Sequence, residues 1–141
     1  MSKTGPFIII DDDNDEQFFC KTALSSLKLK NDFRFFNNGK EAFEYLKNTD
    51  ENPFMILCDL KMPVMDGIEL RQQITQTPHL VKKATPFIFR TGTTTSEDVQ
   101  RSYELAVQGF FEKTDNIKEL EEQLRLIVVY WQHCLEPKSF N

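Results

Sequence analysis

Cysteine is sparse in this chain: the 141 residues include only Cys20, Cys58 and Cys134, widely spaced and without a C-x-x-C pair. That excludes a disulfide framework and a cysteine-based zinc site, and it points to a reducing compartment. Long apolar runs are absent as well. No segment approaches the ~20 residues of a membrane-spanning helix, and residues 1–6 lack the apolar stretch of a signal peptide, so a soluble cytoplasmic protein is expected, with no membrane partner. Positive charge is dispersed: 17 Lys and Arg stand against 22 Asp and Glu, a formal net charge of −5 without any basic cluster. This argues against direct nucleic-acid binding. Repeats and low-complexity segments are missing too. What is present, 40% hydrophobic and 28% charged residues, fits one globular domain over 1–141 with a substantial core.

The positive signal lies in carboxylates that are far apart in sequence but equivalently placed. Asp11 and Asp12 follow the apolar run Phe7-Ile8-Ile9-Ile10, and Asp59 follows Phe54-Met55-Ile56-Leu57-Cys58. Buried as parallel strands, such runs end at one edge of a sheet, where open α/β folds place their ligands. Alone, each acid would do no more than cap a helix or a turn. Three together repel one another unless a cation or proton neutralises them, and an all-oxygen set suits Mg²⁺ better than zinc.

Five apolar runs, near 6–10, 32–37, 53–58, 86–90 and 108–112, read as strands alternating with helical patterns. Helices are expected near 14–29, 39–48, from 67 to before Pro78, from a cap at Thr95 or Ser96 to about 106, and near 116–134. The last carries Ile117, Leu120, Leu124, Ile127, Val128 and Trp131 on one stripe. The alternation implies a (βα)₅ doubly wound, five-stranded parallel sheet of flavodoxin-like form. The fourth strand then ends at Thr91 and the fifth just before Lys113, adding a hydroxyl and an ammonium to the edge that bears the acids.

At this point the stretches FIIIDDDND, MILCDLKMPVMDGIEL, PFIFRTGT and GFFEKT, in this order and spacing, resemble the receiver domains of two-component response regulators over nearly the whole chain. The resemblance implies that Asp59 accepts a phosphoryl group from a sensor histidine kinase or phosphotransfer protein. It further implies Mg²⁺ held by Asp11, Asp12, Asp59 and the backbone carbonyl of Lys61, Thr91 and Lys113 as phosphoryl contacts, and Thr91 with Phe110 as the conformational switch. Lys61 and Thr93, two residues after Asp59 and Thr91, match the family's rate-tuning positions. The chemistry agrees, because a carboxylate accepts a phosphoryl group only where the added charge is offset. Such a protein catalyses its own phosphoryl transfer and dephosphorylation only.

Three positions depart from the family pattern. Thr114 follows Lys113 where receivers usually carry Pro, often with a cis peptide, and a non-prolyl cis bond costs about 2.5–4 kcal/mol. Arg90 sits before Thr91 at the end of a central strand and needs either a partner, for which Glu112 is one candidate, or an exit to solvent. Asn14 stands where Pro is common, with little consequence for a helix start.

Only one helix and a short tail fit after Lys113, so a stand-alone receiver without an output module is expected, similar to those paired with phytochrome-type kinases. A haloacid-dehalogenase-type phosphatase would need a second acid two residues after the nucleophile, and Lys61 stands there. A phosphorylation-independent receiver-fold binding module is the alternative, although none of the key residues is missing. His79, in the Pro78 loop, and His133, near the tail, read as surface residues. Leu126, Val129 and Tyr130 lie off the core stripe of the last helix, which suggests a homodimer through the fourth helix, fifth strand and fifth helix. Isolated exposed apolar residues are the bland alternative.

Overall fold

A computed structural model describes residues 1–92 and 94–137. Its strands are β1 (Phe7–Ile10), β2 (Phe33–Phe36), β3 (Met55–Cys58), β4 (Phe87–Thr91) and β5 (Gly109–Glu112). All are parallel, in the order β2-β1-β3-β4-β5. Parallel pairing requires crossovers, and these supply α1 (Asn14–Ser25), α2 (Gly39–Asn48), α3 (Gly67–Thr75), α4 (Pro78–Lys83), α5 (Ser96–Glu104) and α6 (Ile117–His133). The sequence expectation of a doubly wound five-stranded parallel sheet is met.

Side-chain alternation divides the core. Phe7, Ile9, Met55, Leu57 and Ile88 face α1 and α6, where they meet Cys20, Leu24, Leu120, Leu124 and Val128. Ile8, Ile10, Ile56, Cys58, Phe87 and Phe89 face the other way, onto Ala42, Leu46, Leu70, Ile74 and Leu80. β1, β3 and β4 are covered on both faces, which explains their continuous apolar runs. Phe7, Phe54, Phe87 and Phe89 are fully buried, each contributing roughly 1.5–3 kcal/mol of transfer free energy.

Helix starts follow local chemistry. Asp13, Asn38, Asp66, Thr95 and Asn116 all cap with a side-chain oxygen that accepts a backbone N–H of the first turn. Three boundaries differ from the sequence reading. The first helix stops at Ser25 rather than 29, and Lys28 then adopts a positive φ of 56°. The fourth expected helix, α5, ends at Glu104, before Ala106 at φ 58°. The stretch holding Pro78 and exposed His79, expected as a loop, is the short helix α4 with Pro78 in its first turn. Proline there loses no intrahelical hydrogen bond, so it begins a helix as readily as it stops one.

Candidate functional site

The carboxyl edge of the sheet is built by register. Ile10 lies beside Cys58, and the backbone continues the pairing, with Asp59 N–H donating to Ile10 O at 2.8 Å and Asp11 N–H to Phe36 O at 3.0 Å. Asp11 and Asp59 therefore leave adjacent strands at one level. Ligand oxygens of Asp11, Asp12 and Asp59 all lie within 4.8 Å of one another. Asp12 is exposed at the mouth, whereas Asp11 and Asp59 are buried. On the far side, Lys113 N–H donates to Thr91 O at 2.9 Å, so β5 delivers the lysine as β4 ends.

The ammonium of Lys113 joins the two buried acids. Its Nζ lies 2.7 Å from Asp11 Oδ2 and 3.2 Å from Asp59 Oδ2. Burial alone would lower the Lys113 pKa, but hydrogen bonding and charge from Asp11 and Asp59 outweigh it and hold the ammonium above the usual lysine range. Burial likewise raises the Asp11 carboxyl, against the hydrogen bonds from Lys113 and Asp13 N–H that lower it. Buried carboxylates gathered round one cation suit a further cation. The three acids offer oxygen donors alone, the set preferred by Mg²⁺, Ca²⁺ and Mn²⁺.

Supporting contacts hold the acids in place. Asp59 Oδ1 accepts Leu60 N–H at 2.8 Å, and Asp11 Oδ1 accepts Asp13 N–H at 2.9 Å. Buried Gln17 donates its amide to Asp11 O at 2.7 Å and to Asn37 Oδ1 at 2.8 Å, pinning the β1–α1 turn. Gln17 was overlooked in the sequence, where the signal was a polar residue three positions before Cys20 on the buried stripe of α1. Gly67 was overlooked too. A Cβ there would come within 2.5 Å of both Asp59 O and Phe89 Cε1, so α3 packs against the end of β3 only because the side chain is missing.

The model of the response regulator receiver domain matches residues 7–125. The chain belongs to this family. Among curated relatives, the probable methanogenesis regulatory protein FilR2 of Methanothrix harundinacea is 29% identical over 93% of this chain and 87% of its own length. Response regulator Rcp1 of Synechocystis is 27% identical over 88% of this chain and 86% of its own. A solved Mn²⁺-bound form of Rcp1 superposes with a TM-score of 0.77 at 25% identity, covering 92% of this chain and 95% of that one. The phosphorylated cyanobacterial phytochrome response regulator RcpA gives 0.83 at 23% identity, covering 96% and 99%, a likeness of fold. The protein is thus a response regulator of two-component signalling.

Within this receiver, Thr91 is buried at the end of β4. Phe110 pairs with Phe89 in register and is part-buried, with ring centroids 5.7 Å apart. The Lys61 side chain leads away from the lysine–acid cluster to Asp98 of α5, its Nζ 3.4 Å from Asp98 Oδ2. Thr93 lies outside the described residues. Every peptide bond among the described residues is trans, the Lys113–Thr114 bond included.

The suggested Arg90–Glu112 pair is not formed. Register sets Arg90 beside Phe111 and Thr91 beside Glu112, so Glu112 shares the face of Thr91 while Arg90 points to the α1–α6 layer. There its Nη2 lies 3.8 Å from Glu16 Oε2, and its Nε and Nη2 meet no hydrogen-bond acceptor among the described residues. No helix among the described residues is long and apolar enough to cross a membrane.

Proposed function

We propose that this receiver accepts a phosphoryl group on Asp59 from the phosphohistidine of a sensor kinase or phosphotransfer protein, and signals through a switched protein-interaction surface. The observation that carries the reading is the Lys113 ammonium shared between the buried Asp11 and Asp59 of a three-carboxylate cluster. An Asp59 oxygen attacks phosphorus in line, the P–N bond breaks as the O–P bond forms, and the imidazole departs with the electron pair. Lys113 then has a phosphoryl oxygen to pair with, and Thr91 a hydrogen-bond acceptor. Movement of Thr91 inward leaves room for Phe110, which its part-buried seat beside Phe89 allows.

Asp11, Asp12 and Asp59, with the Lys61 carbonyl, would hold Mg²⁺, which when bound offsets the charge of the incoming phosphoryl oxygens. Lys61 and Thr93 flank the approach of the hydrolytic water and tune the lifetime of the aspartyl phosphate. Phosphoryl transfer and its reversal by hydrolysis are the only reactions assigned to the protein, and the cytoplasm is its assigned compartment. The surface formed by α5, β5 and α6, with Leu126, Val129 and Tyr130 exposed, is assigned to homodimer formation.

Incubation with acetyl phosphate and Mg²⁺, followed by intact-mass measurement, should add one phosphoryl group to wild type and none to Asp59→Asn. Label in Asp59→Asn at the wild-type level would sink the assignment. The alternative of a phosphorylation-independent binding module predicts no label in either protein.

A further inference from the structure

Lys61 and Asp98 form an ion pair that joins the β3–α3 turn to α5. Lys61 stands two residues after Asp59, in the turn between β3 and α3; Asp98 is in the first turn of α5. Within 4 Å of the Lys61 ammonium, among the described residues, the carboxylate is that of Asp98 and not that of Asp11, Asp12 or Asp59. The two ends differ in freedom. Asp98 is fixed through its backbone: its N–H donates to the capping Thr95 Oγ1 at 3.1 Å, and its carbonyl accepts the hydroxyl of fully buried Ser102 at 2.7 Å. The Lys61 side chain is 65% exposed against 23% for Asp98. An ammonium on a solvated four-carbon stem is thus held by a carboxylate on an anchored turn.

The geometry points to Asp98 as a positioning residue for the lifetime of the phosphoryl group, acting through Lys61. This rests on Asp59 being the acceptor. An exposed ion pair is weak and exchanges readily. A phosphoryl group on Asp59 sets a second, stronger anion, with three acceptor oxygens, two residues from Lys61. Asp98 and the phosphoryl group then compete for one ammonium. Lys61 on the phosphoryl oxygens occupies the path of the water whose oxygen attacks phosphorus, breaks the Asp59–phosphoryl bond and releases inorganic phosphate. Lys61 on Asp98 leaves that path open. The resting pair also ties the β3–α3 turn to α5, so transfer of Lys61 to the phosphoryl group releases α5 at its first turn.

The test follows the decay of acetyl-phosphate-labelled protein, after removal of the donor, by intact mass. Asp98→Asn should slow decay about threefold, the scale of an exposed pair. Asp98→Glu, which restores the carboxylate, should return the rate toward wild type. Lys61→Ala should decay faster than wild type, and Lys61→Ala/Asp98→Asn should match Lys61→Ala alone. A merely structural role for Asp98 would alter decay equally in both backgrounds, and that result overturns the proposal. So does an unchanged rate in Asp98→Asn while wild type labels normally. A wild type that takes no label overturns the phospho-acceptor assignment and this inference with it, which separates the two failures.

Discussion

At the scale of single residues, the site holds charge against its own interest, and this yields a signed pH dependence. Burial raises the Asp11 carboxyl even with Lys113 beside it. The folded state therefore binds the Asp11 proton more tightly than the unfolded chain does, and ionisation costs stability. That penalty is absent below the ordinary carboxylate range and grows as pH rises through the folded value. Without divalent cation, Asp11→Asn should melt at a higher temperature than wild type at pH 7, and the difference should vanish as pH falls below about 4, the unperturbed carboxylate value. The variant should also lose its response to Mg²⁺, measured as a thermal shift. Lys113 has the opposite sense: its raised value contributes stability below the unfolded lysine pKa, lost as pH rises through the folded one.

Arg90 is a second costly residue. Its guanidinium is buried and only loosely paired with Glu16. Removing Glu16 leaves a buried cation without its counter-charge, so Glu16→Ala should destabilise by about 1–3 kcal/mol. Replacing both residues, as Glu16→Ala/Arg90→Met, should recover most of that loss, because an apolar side chain of similar length costs no desolvation there. Urea unfolding of the three proteins measures both outcomes. A double variant no more stable than Glu16→Ala would show that Arg90 acts through packing rather than charge.

Between elements, the closest approach that matters to the site is that of α3 to β3. Gly67 begins α3 directly beneath the Asp59 carbonyl, and its N–H donates to Leu60 O at 2.9 Å. Gly67→Ala must relieve both clashes, with the Asp59 carbonyl of the β3–α3 turn and with the Phe89 ring, at an overpacking cost of about 1–3 kcal/mol. Because the displaced backbone carries Asp59, the variant should also label more slowly with acetyl phosphate at a temperature where it remains fully folded. Gly109→Ala offers the contrast. Its added Cβ meets only side chains, at 3.5 Å or more, so neither stability nor labelling should change much.

For the whole molecule, the open question is what covers the exposed side of α6. Leu120, Leu124, Ile127 and Val128 are buried in the core, while Leu126, Val129 and Tyr130 of α6 and Tyr103 of α5 are exposed. A groove lined by Tyr103, Phe110, Phe111, Leu126 and Tyr130 runs along the β5 edge. Phe110 belongs both to this groove and to the switch proposed with Thr91, so assembly here would feel phosphorylation directly. Wild type should sediment as a dimer at micromolar concentration in at least one phosphorylation state. Tyr130→Glu, which places a charge on that face, should weaken the association at least tenfold. A strictly monomeric wild type in both states would remove the dimer from the proposal.

Local physics made the strands and most helix starts legible in the sequence: short runs of Phe, Ile and Leu too brief for buried helices, separated by 3.6-residue stripes that begin at Asn38, Thr95 and Asn116. That Asp11, Asp12, Asp59, Thr91 and Lys113 come to one edge was legible for the same reason, since parallel strands end together and whatever follows them must meet there. Where the sequence reading went astray, distance along the chain hid the cause. The six-residue helix at Pro78 is too short to display a period. The partner of Arg90 depends on which face of β4 it occupies, and that is set by the register against β5. Gly67 and the Lys61–Asp98 pair depend on how closely α3 and α5 pack over the strand ends. Side-chain alternation and capping are properties of a few consecutive residues and so are written locally, whereas register and the approach of one element to another arise only when segments 30 or more residues apart, such as Lys61 and Asp98, are brought together by the core.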